Sequence, residues 1–205
     1  MSVDRAYHHG DLRAALIGAS FDLLAEGGLQ RFSVAAVARR LGVSSAAPYR
    51  HFADRDHLLS AISATAAHDL RAAISAAADA AGPDATARLA ATAGAYVRYV
   101  VRTGAGFPVI YAAELYELAD DARREQTRAL MTTLFELAAA TGPPTYHEAL
   151  LLVEATVAVA HGYASLFADG FFARNASTVD DIAARATEAA RTLITPPPRR
   201  RRTTD

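Results

Sequence analysis

Apolar residues recur at helical spacing along nearly the whole chain, and glycine or proline stands at most of the places where that pattern stops. The breaks are Gly27-Gly28, Gly42, Gly82-Pro83, Gly104-Ala105-Gly106, Gly142-Pro143-Pro144 and Asp169-Gly170. Residues whose side-chain oxygen can accept from the free amides of a helix start stand just ahead of apolar runs: Ser33, Asp54, Asp84, Asp120 and Thr145. No sustained alternation of apolar and polar residues competes with this reading. A chain so punctuated is expected to be all-α, with about nine helices.

The helices are laid out between these marks. Leu12, Leu16, Ala19 and Leu23 open the first, and Val34–Arg40 forms a short second one between Ser33 and Gly42. A third begins at Ser44 or Ser45 and ends near Phe52. The fourth runs from Asp54 through Leu58, Leu59, Ile62, Ala66 and Leu70 towards Ala81. Asp84 opens one with Leu89, Tyr96, Val97 and Val100, and a short segment comes next at Val109–Leu118. Asp120-Asp121 start the helix of Leu130, Leu134 and Leu137. Thr145–Ala168 and then Ser177 or Thr178 to Ile194 complete the set. Alanine, roughly a quarter of the 205 residues, favours the same outcome.

Composition narrows the function classes. With 52% hydrophobic residues the chain can bury a core, and with no cysteine it has neither a disulfide framework nor a thiol nucleophile. A reducing, cytoplasmic setting is expected. No apolar leader opens the chain. Ala149–Ala168 has the length of a membrane span, but Glu154 and His161 lie inside it, and an unpaired ionisable group there costs roughly 2.5–3.5 kcal/mol. A buried helix, and no membrane partner, is the expectation.

The net charge of −1 is an average over unlike parts. Residues 1–60 hold seven Arg against six acids and four of the seven His; residues 61–198 hold ten Arg against fifteen acids. Residues 199–205 add four Arg and one Asp. Every basic residue is Arg, so each permanently cationic contact must be a guanidinium. A slightly basic head on an acidic body leaves nucleic acid open as a partner.

The segment FSVAAVARRLGVSSAAPYRHFADRDHLLSAI carries the most information. A helix-turn-helix needs an apolar inner face on its first helix, a tight turn with glycine, and small polar residues at the start of the second. Val34, Val37, Ala38 and Leu41 supply that face, Gly42 the turn, and Val43 the plug between helices. Ser45-Ala46-Ala47 then leave the second helix bare at its start, where free amides suit a phosphate. Pro48 restricts the register. With Ser44 as cap its missing N–H would break the first intrahelical bond, so the helix is expected to start at Ser45 or with a loosened first turn.

At these residues the chain resembles the TetR family of transcriptional regulators. The resemblance covers Leu12 to about Ile62: Phe32-Ser33-Val34, Val37-Ala38, Leu41-Gly42-Val43-Ser44, Tyr49, Phe52 and Asp54-Arg55-Asp56-His57-Leu58. The opening YHHGDLR and the run SSAAPYRHF are similar to a subfamily whose ligand domain bears a Trp-His-Gly signature; here Ala160-His161-Gly162 stands at that place, with Ala for Trp. The resemblance implies phosphate contacts from Ser33, Ser44, Tyr49 and Arg55, the last in place of the usual Lys. Base edges would fall to Ser45, Ala46, Ala47, Arg50 and His51, with Arg50 reaching guanine and an alanine meeting a thymine methyl. His8, His9 and Arg13 would lie near the minor groove or backbone. Tyr49 and Phe52 could instead be core aromatics.

Residues 61–195 are then the larger ligand-binding and dimerisation domain, after a helix-turn-helix domain at 1–60; 196–205 is a disordered Pro/Arg tail. Tyr96, Tyr99, Phe107, Tyr111, Tyr116, Phe135, Phe167, Phe171 and Phe172, with Glu154 and His161, could line an apolar effector pocket or simply form core. Glu154 and His161 share a helix face, but no third ligand accompanies them, so no metal is expected and no cofactor. On Thr145–Ala168, Leu150, Val153, Val157 and Phe167 make one face. Ala155, Ala158, Gly162 and Ser165, spaced +3, +4, +3, make another that permits close helix approach. The resemblance assigns that seam to a homodimer built from the last two helices. The expected function is a repressor that releases a palindromic DNA operator when an unknown small molecule binds. The alternatives are a helical protein-interaction module or a helical enzyme, and the paired Glu-x-x-His motifs of a di-metal enzyme are absent.

Overall fold

The structure, a computed structural model, describes residues 9–143, 145–175 and 177–195. His8, the side chain of His9 and the 196–205 tail lie outside the described residues. Eight α-helices succeed one another in chain order: α1 His9–Gly27, α2 Val34–Leu41, α3 Arg55–Ala80, α4 Ala85–Thr103, α5 Phe107–Ile110, α6 Asp121–Ala139, α7 Tyr146–Ala168 and α8 Val179–Ile194. Short 3-10 turns stand at Leu29–Arg31, Pro48–Arg50, Ala113–Leu115 and Ala173–Asn175, and no strand occurs among the described residues. Two expected helices take other forms: the segment after Gly42, and Val109–Leu118, where α5 ends at Ile110 and the chain continues into the 3-10 turn Ala113–Leu115.

Capping side chains set the helix starts. Ser33 Oγ accepts from the Ala36 amide at 3.2 Å, and Asp54 from that of His57 at 2.9 Å. Asp84 accepts from Thr86 and Ala87, Asp120 from Arg123, and Thr145 from Glu148. Thr178 and Asp181 cap each other's amides in a reciprocal box. Each cap satisfies an otherwise free donor and contributes about 1 kcal/mol.

The chain divides into two compact units, the first comprising residues up to Ala73 together with Arg98–Thr132. The expected boundary at residue 60 falls inside α3, and hydrogen bonds explain why the unit continues beyond it. Ser60 Oγ donates to Asp120 Oδ2 and Ser63 Oγ to the Ile110 carbonyl, each at 2.7 Å. Leu58, Leu59, Ile62, Ala66 and Leu70 of α3 have no exposed surface, and Leu16, Leu24, Val37, Ile110 and Leu115 are buried in the same unit. Arg123, 6% exposed, donates from Nη2 to the Leu115 carbonyl at 2.7 Å. At the end of α4, Gly104 has φ +65, and a Cβ there would overlap the backbone of Leu24 and Ala25 in α1.

The second unit comprises Ile74–Val97 and the residues from Thr133 onward. α7 packs on α8. The buried face of α7 is Ala149, Val153, Thr156, Ala160 and Ala164, and that of α8 is Ile182, Ala183, Ala186, Ala190 and Ile194. Gly94 of α4 lets backbones approach, since a Cβ there would lie 2.5 Å from Thr187 Oγ1 and 2.9 Å from the Ala183 carbonyl oxygen. Within one chain α7 is covered on one side only. Val153 is buried as expected of its face, but Leu150, Val157 and Phe167 stay half-exposed, because the buried stripe runs through Ala149, Val153, Thr156, Ala160 and Ala164. α7 is long and apolar enough to cross a membrane by length and composition, with a mean hydropathy of 1.5 over a window that is 22% buried.

Gly104→Ala combines a left-handed backbone with a backbone overlap and is expected to cost about 3 kcal/mol of stability. Gly18→Ala, in a helix interior with nothing within 4 Å of the new methyl, is expected to gain about 0.5–1 kcal/mol. Chemical denaturation of the two variants checks both signs. Burial pushes the Asp120 carboxyl up, but the Ser60 hydroxyl and the charge and amide of Arg123 outweigh it and hold it below its ordinary value. A depressed carboxyl stabilises above its unfolded pKa, and that contribution is lost as pH falls through the lowered folded value. Asp120→Asn is therefore expected to reduce stability near neutrality and to flatten the loss on acidification, measured as denaturation midpoint against pH.

Candidate nucleic-acid interface

Gly42 closes α2 in the left-handed conformation, φ 66 and ψ 25, which a β-carbon disfavours. The Val43 amide then donates to the Ala38 carbonyl at 3.1 Å, turning the chain out of α2. Residues 44–51 form a turn and a 3-10 helix in place of an α-helix. Ala47 N donates to Ser44 O at 3.0 Å, Arg50 N to Ala47 O at 3.2 Å and His51 N to Pro48 O at 3.0 Å, all three residues back. The cause is Pro48. An α-helix begun at Ser44 would need an N–H at Pro48 for the Ser44 carbonyl; proline has none, and the Ala47 amide takes that carbonyl instead. The loosening expected of the first turn thus extends over the segment, and the helix expected from Ser44 or Ser45 is not an α-helix.

The same segment is anchored from beneath. Pro48 is buried and Phe52 is 5% exposed, with the Arg13 guanidinium 5.1 Å above the Phe52 ring. Ser44, Ser45, Ala46, Tyr49 and Arg50 are exposed, with Ala47 and His51 half-exposed. Phe52 is therefore a core aromatic and Tyr49, at 55% exposure, is not. Ser33 is half-exposed and uses its hydroxyl as the cap of α2. Arg55 opens α3 with its guanidinium 5.8 Å from the Phe32 ring centre, 3.2 Å from Asp56 and 3.9 Å from Glu114. His57 Nδ1 meets Asp54 at 2.9 Å, and hydrogen bonds from His57 hold the Asp54 carboxyl below its ordinary value. Chemically, this surface offers hydroxyls, methyls, one phenol and two guanidinium groups on a backbone fixed by Gly42 and Pro48. Glu114 had no signal in the sequence, because only the fold carries it to Arg55.

The expected effector residues fall into both units. In the first, Tyr99 is 2% exposed, and burial, with Asp69 second, pushes its hydroxyl up. Tyr111 donates to the Thr127 carbonyl at 3.2 Å, stacks on Phe107 at 5.6 Å and 10°, and is pushed up to about 12 by burial. In the second, the Tyr96 hydroxyl lies 3.0 Å from His161 Nδ1, their rings edge-on at 6.2 Å. Phe135 meets Tyr146 at 4.7 Å, Phe167 is half-exposed and Glu154 is exposed. Tyr116 and Phe171, in the aromatic set expected to line a pocket or form core, stand 64% and 68% exposed. The second unit also carries an open groove of about 410 Å³ lined by Pro143, Leu151, Leu152, Leu193 and Ile194 among others. Among the described residues no group of three or more side chains is arranged to hold a metal.

The profile described as bacterial regulatory proteins, tetR family, matches residues 16–62, and that of the tetracyclin repressor-like C-terminal domain matches 89–190. A protein with unknown function from Rhodococcus sp. RHA1 is 31% identical over 93% of this chain and 98% of that chain, with a TM-score of 0.69. A transcriptional regulator from Rhodococcus sp. Rha1 shares the fold at 24% identity, 89% and 95% coverage and TM-score 0.63. The multidrug binding protein EbrR, complexed with imidazole, shares it at 23% identity, 91% and 96% coverage and TM-score 0.52. No curated protein sequence matches significantly. Both the matched head and the matched body place the chain: it belongs to the TetR family and is a ligand-responsive, DNA-binding transcriptional regulator, not an enzyme.

Proposed function

We propose that this regulator is a repressor, and that it reads a palindromic operator as a homodimer through the exposed face of the Ser44–His51 segment. The observation that carries this reading is the division of that segment and the adjoining Phe52 into a buried side, Pro48 and Phe52, and an exposed side, Ser45, Ala46, Tyr49 and Arg50. Arg50 has the donors for guanine O6 and N7, and Ala46 or Ala47 presents a methyl to thymine. Ser33, Ser44, Tyr49 and Arg55 fix the register on phosphates, and His51 lies at the edge of the same face. One such segment makes few contacts, so two of them on half-sites about 34–36 Å apart supply the rest.

The dimer is assigned to α7 and α8. Ala155, Gly162 and Ser165 are half-exposed and Ala158 exposed, and nothing lies within 4 Å of a Cβ built on Gly162. Leu151, Leu166 and Leu193 are 47%, 40% and 55% exposed. A second copy covers this surface at a lower cost than lipid, which would have to take Glu154 and His161. The protein accordingly acts in the cytoplasm. The effector is an apolar small molecule with few polar groups, received by residues drawn from Tyr96, Tyr99, Phe107, Tyr111, Phe135, Glu154, His161 and Phe167. The Tyr96–His161 hydrogen bond supports a polar handle there, and EbrR, a multidrug binding protein, has the same fold. Effector binding weakens the DNA complex through the stretch Gly104–Leu118.

Two experiments test these assignments. Fluorescence anisotropy on the palindrome beside the protein's own gene is expected to show Arg50→Ala weakening binding about 5- to 100-fold, with wild type well above its affinity for random DNA. Equal binding of wild type and variant, no tighter than to random DNA, removes the assigned reading surface. Sedimentation equilibrium is expected to give a dimer for wild type and a monomer for Gly162→Arg, with operator affinity lost alongside; a dimeric variant would place the seam elsewhere.

A further inference from the structure

Arg55, assigned to a DNA phosphate, is already engaged in the free protein. Its Nη1 lies 3.2 Å from Asp56 Oδ1 and 3.9 Å from Glu114 Oε1. Asp56 is the next residue of the same helix and travels with it. Glu114 comes from the 3-10 turn Ala113–Leu115, part of the stretch that joins α5 to α6. That stretch is held on both sides. Ser63 of α3 donates to the Ile110 carbonyl just before it, and the buried Arg123 of α6 donates to the Leu115 carbonyl just after Glu114. Glu114 is therefore carried by a backbone tied to α3 and α6. The two side chains are 36% and 45% exposed, so their attraction is screened by water and salt without being abolished.

We propose that Glu114 is a positioning residue that competes with the DNA backbone for Arg55, so that the place of Ala113–Leu115 sets how much of the Arg55 charge reaches the operator. The proposal rests on Arg55 as a phosphate contact. A phosphate arriving at this guanidinium meets a second anion within a few ångström, so binding must either break the Arg55–Glu114 pair or bear the repulsion. A shift of the turn away from Arg55 releases the cation, and a shift towards it withdraws it. The recognition segment itself need not rearrange.

A double-mutant cycle on the full-length protein tests this, with operator affinity read by anisotropy at low and at physiological salt. Glu114→Gln is expected to tighten binding about two- to five-fold at low salt, with the gain shrinking as salt rises and vanishing when Arg55→Gln is also present. Glu114→Ala, a second variant at this exposed position, is expected to give the same sign. An equal gain with and without Arg55 means that Glu114 acts only by long-range repulsion from DNA, and this overturns the proposal. So does no gain from Glu114→Gln where Arg55→Gln alone weakens binding and lowers the salt slope. If Arg55→Gln changes neither affinity nor slope, the phosphate contact itself is wrong and the competition falls with it.

Discussion

The first unit is organised on one stripe of α3. Leu58, Leu59, Ile62, Ala66 and Leu70 have lost all contact with water. Each buried leucine or isoleucine contributes on the order of 1.5–3 kcal/mol, so the helix has little freedom to roll. Its first turn carries Arg55, and Phe52, three residues earlier, anchors the recognition segment. From the same helix Ser60 and Ser63 reach Asp120 and Ile110. Whatever displaces the stretch from Gly104 to Asp120 must therefore strain bonds made to the helix that bears Arg55, the proposed phosphate contact. A ligand acts on such an equilibrium only through its different affinities for the two arrangements, and these hydrogen bonds are where the difference can be felt.

Pro48 sets the form of the segment after Gly42. Removing one N–H converts an expected α-helix into a turn and a 3-10 helix, and the ring itself is buried as an anchor. The 3-10 form is narrower and rises faster per residue than an α-helix. Tyr49 and Arg50 consequently project from a short rigid corner instead of a long cylinder. The proposed reading face is small, which makes the count of phosphate contacts, and hence the proposed dimer, matter more.

Much of this was legible in the sequence because it is local. A serine or aspartate before an apolar run makes a cap from its own neighbours, and a glycine that must go left-handed ends a helix wherever it stands; Ser33, Asp54, Gly42 and Thr178 behave so. Pro48 announced a loosened turn for the same reason, though not how far the loosening would run. Pairings between distant residues left no mark. Nothing near Arg55 points to Glu114, and nothing near Ser60 points to Asp120. Periodicity also failed to say which face of α7 is covered inside one chain, because that helix is apolar nearly all round. The sequence likewise grouped Tyr116 and Phe171 with aromatics that would line a pocket or form core, whereas the fold leaves both in water. The assignment of effector residues inherits that difficulty, since an aromatic side chain reads alike in a core and in a pocket.

The central claim is that the Ser44–Phe52 segment and the start of α2 are the DNA-reading surface. Hydrogen–deuterium exchange of the full-length protein, free and saturated with its operator duplex, tests this without any substitution. Slowed exchange at the amides of residues 33–36 and 44–52, with the exposed flank of α7 unaffected by DNA, is the result the structure predicts. Unchanged exchange in both stretches while the duplex is bound, or protection confined to another surface, would contradict it.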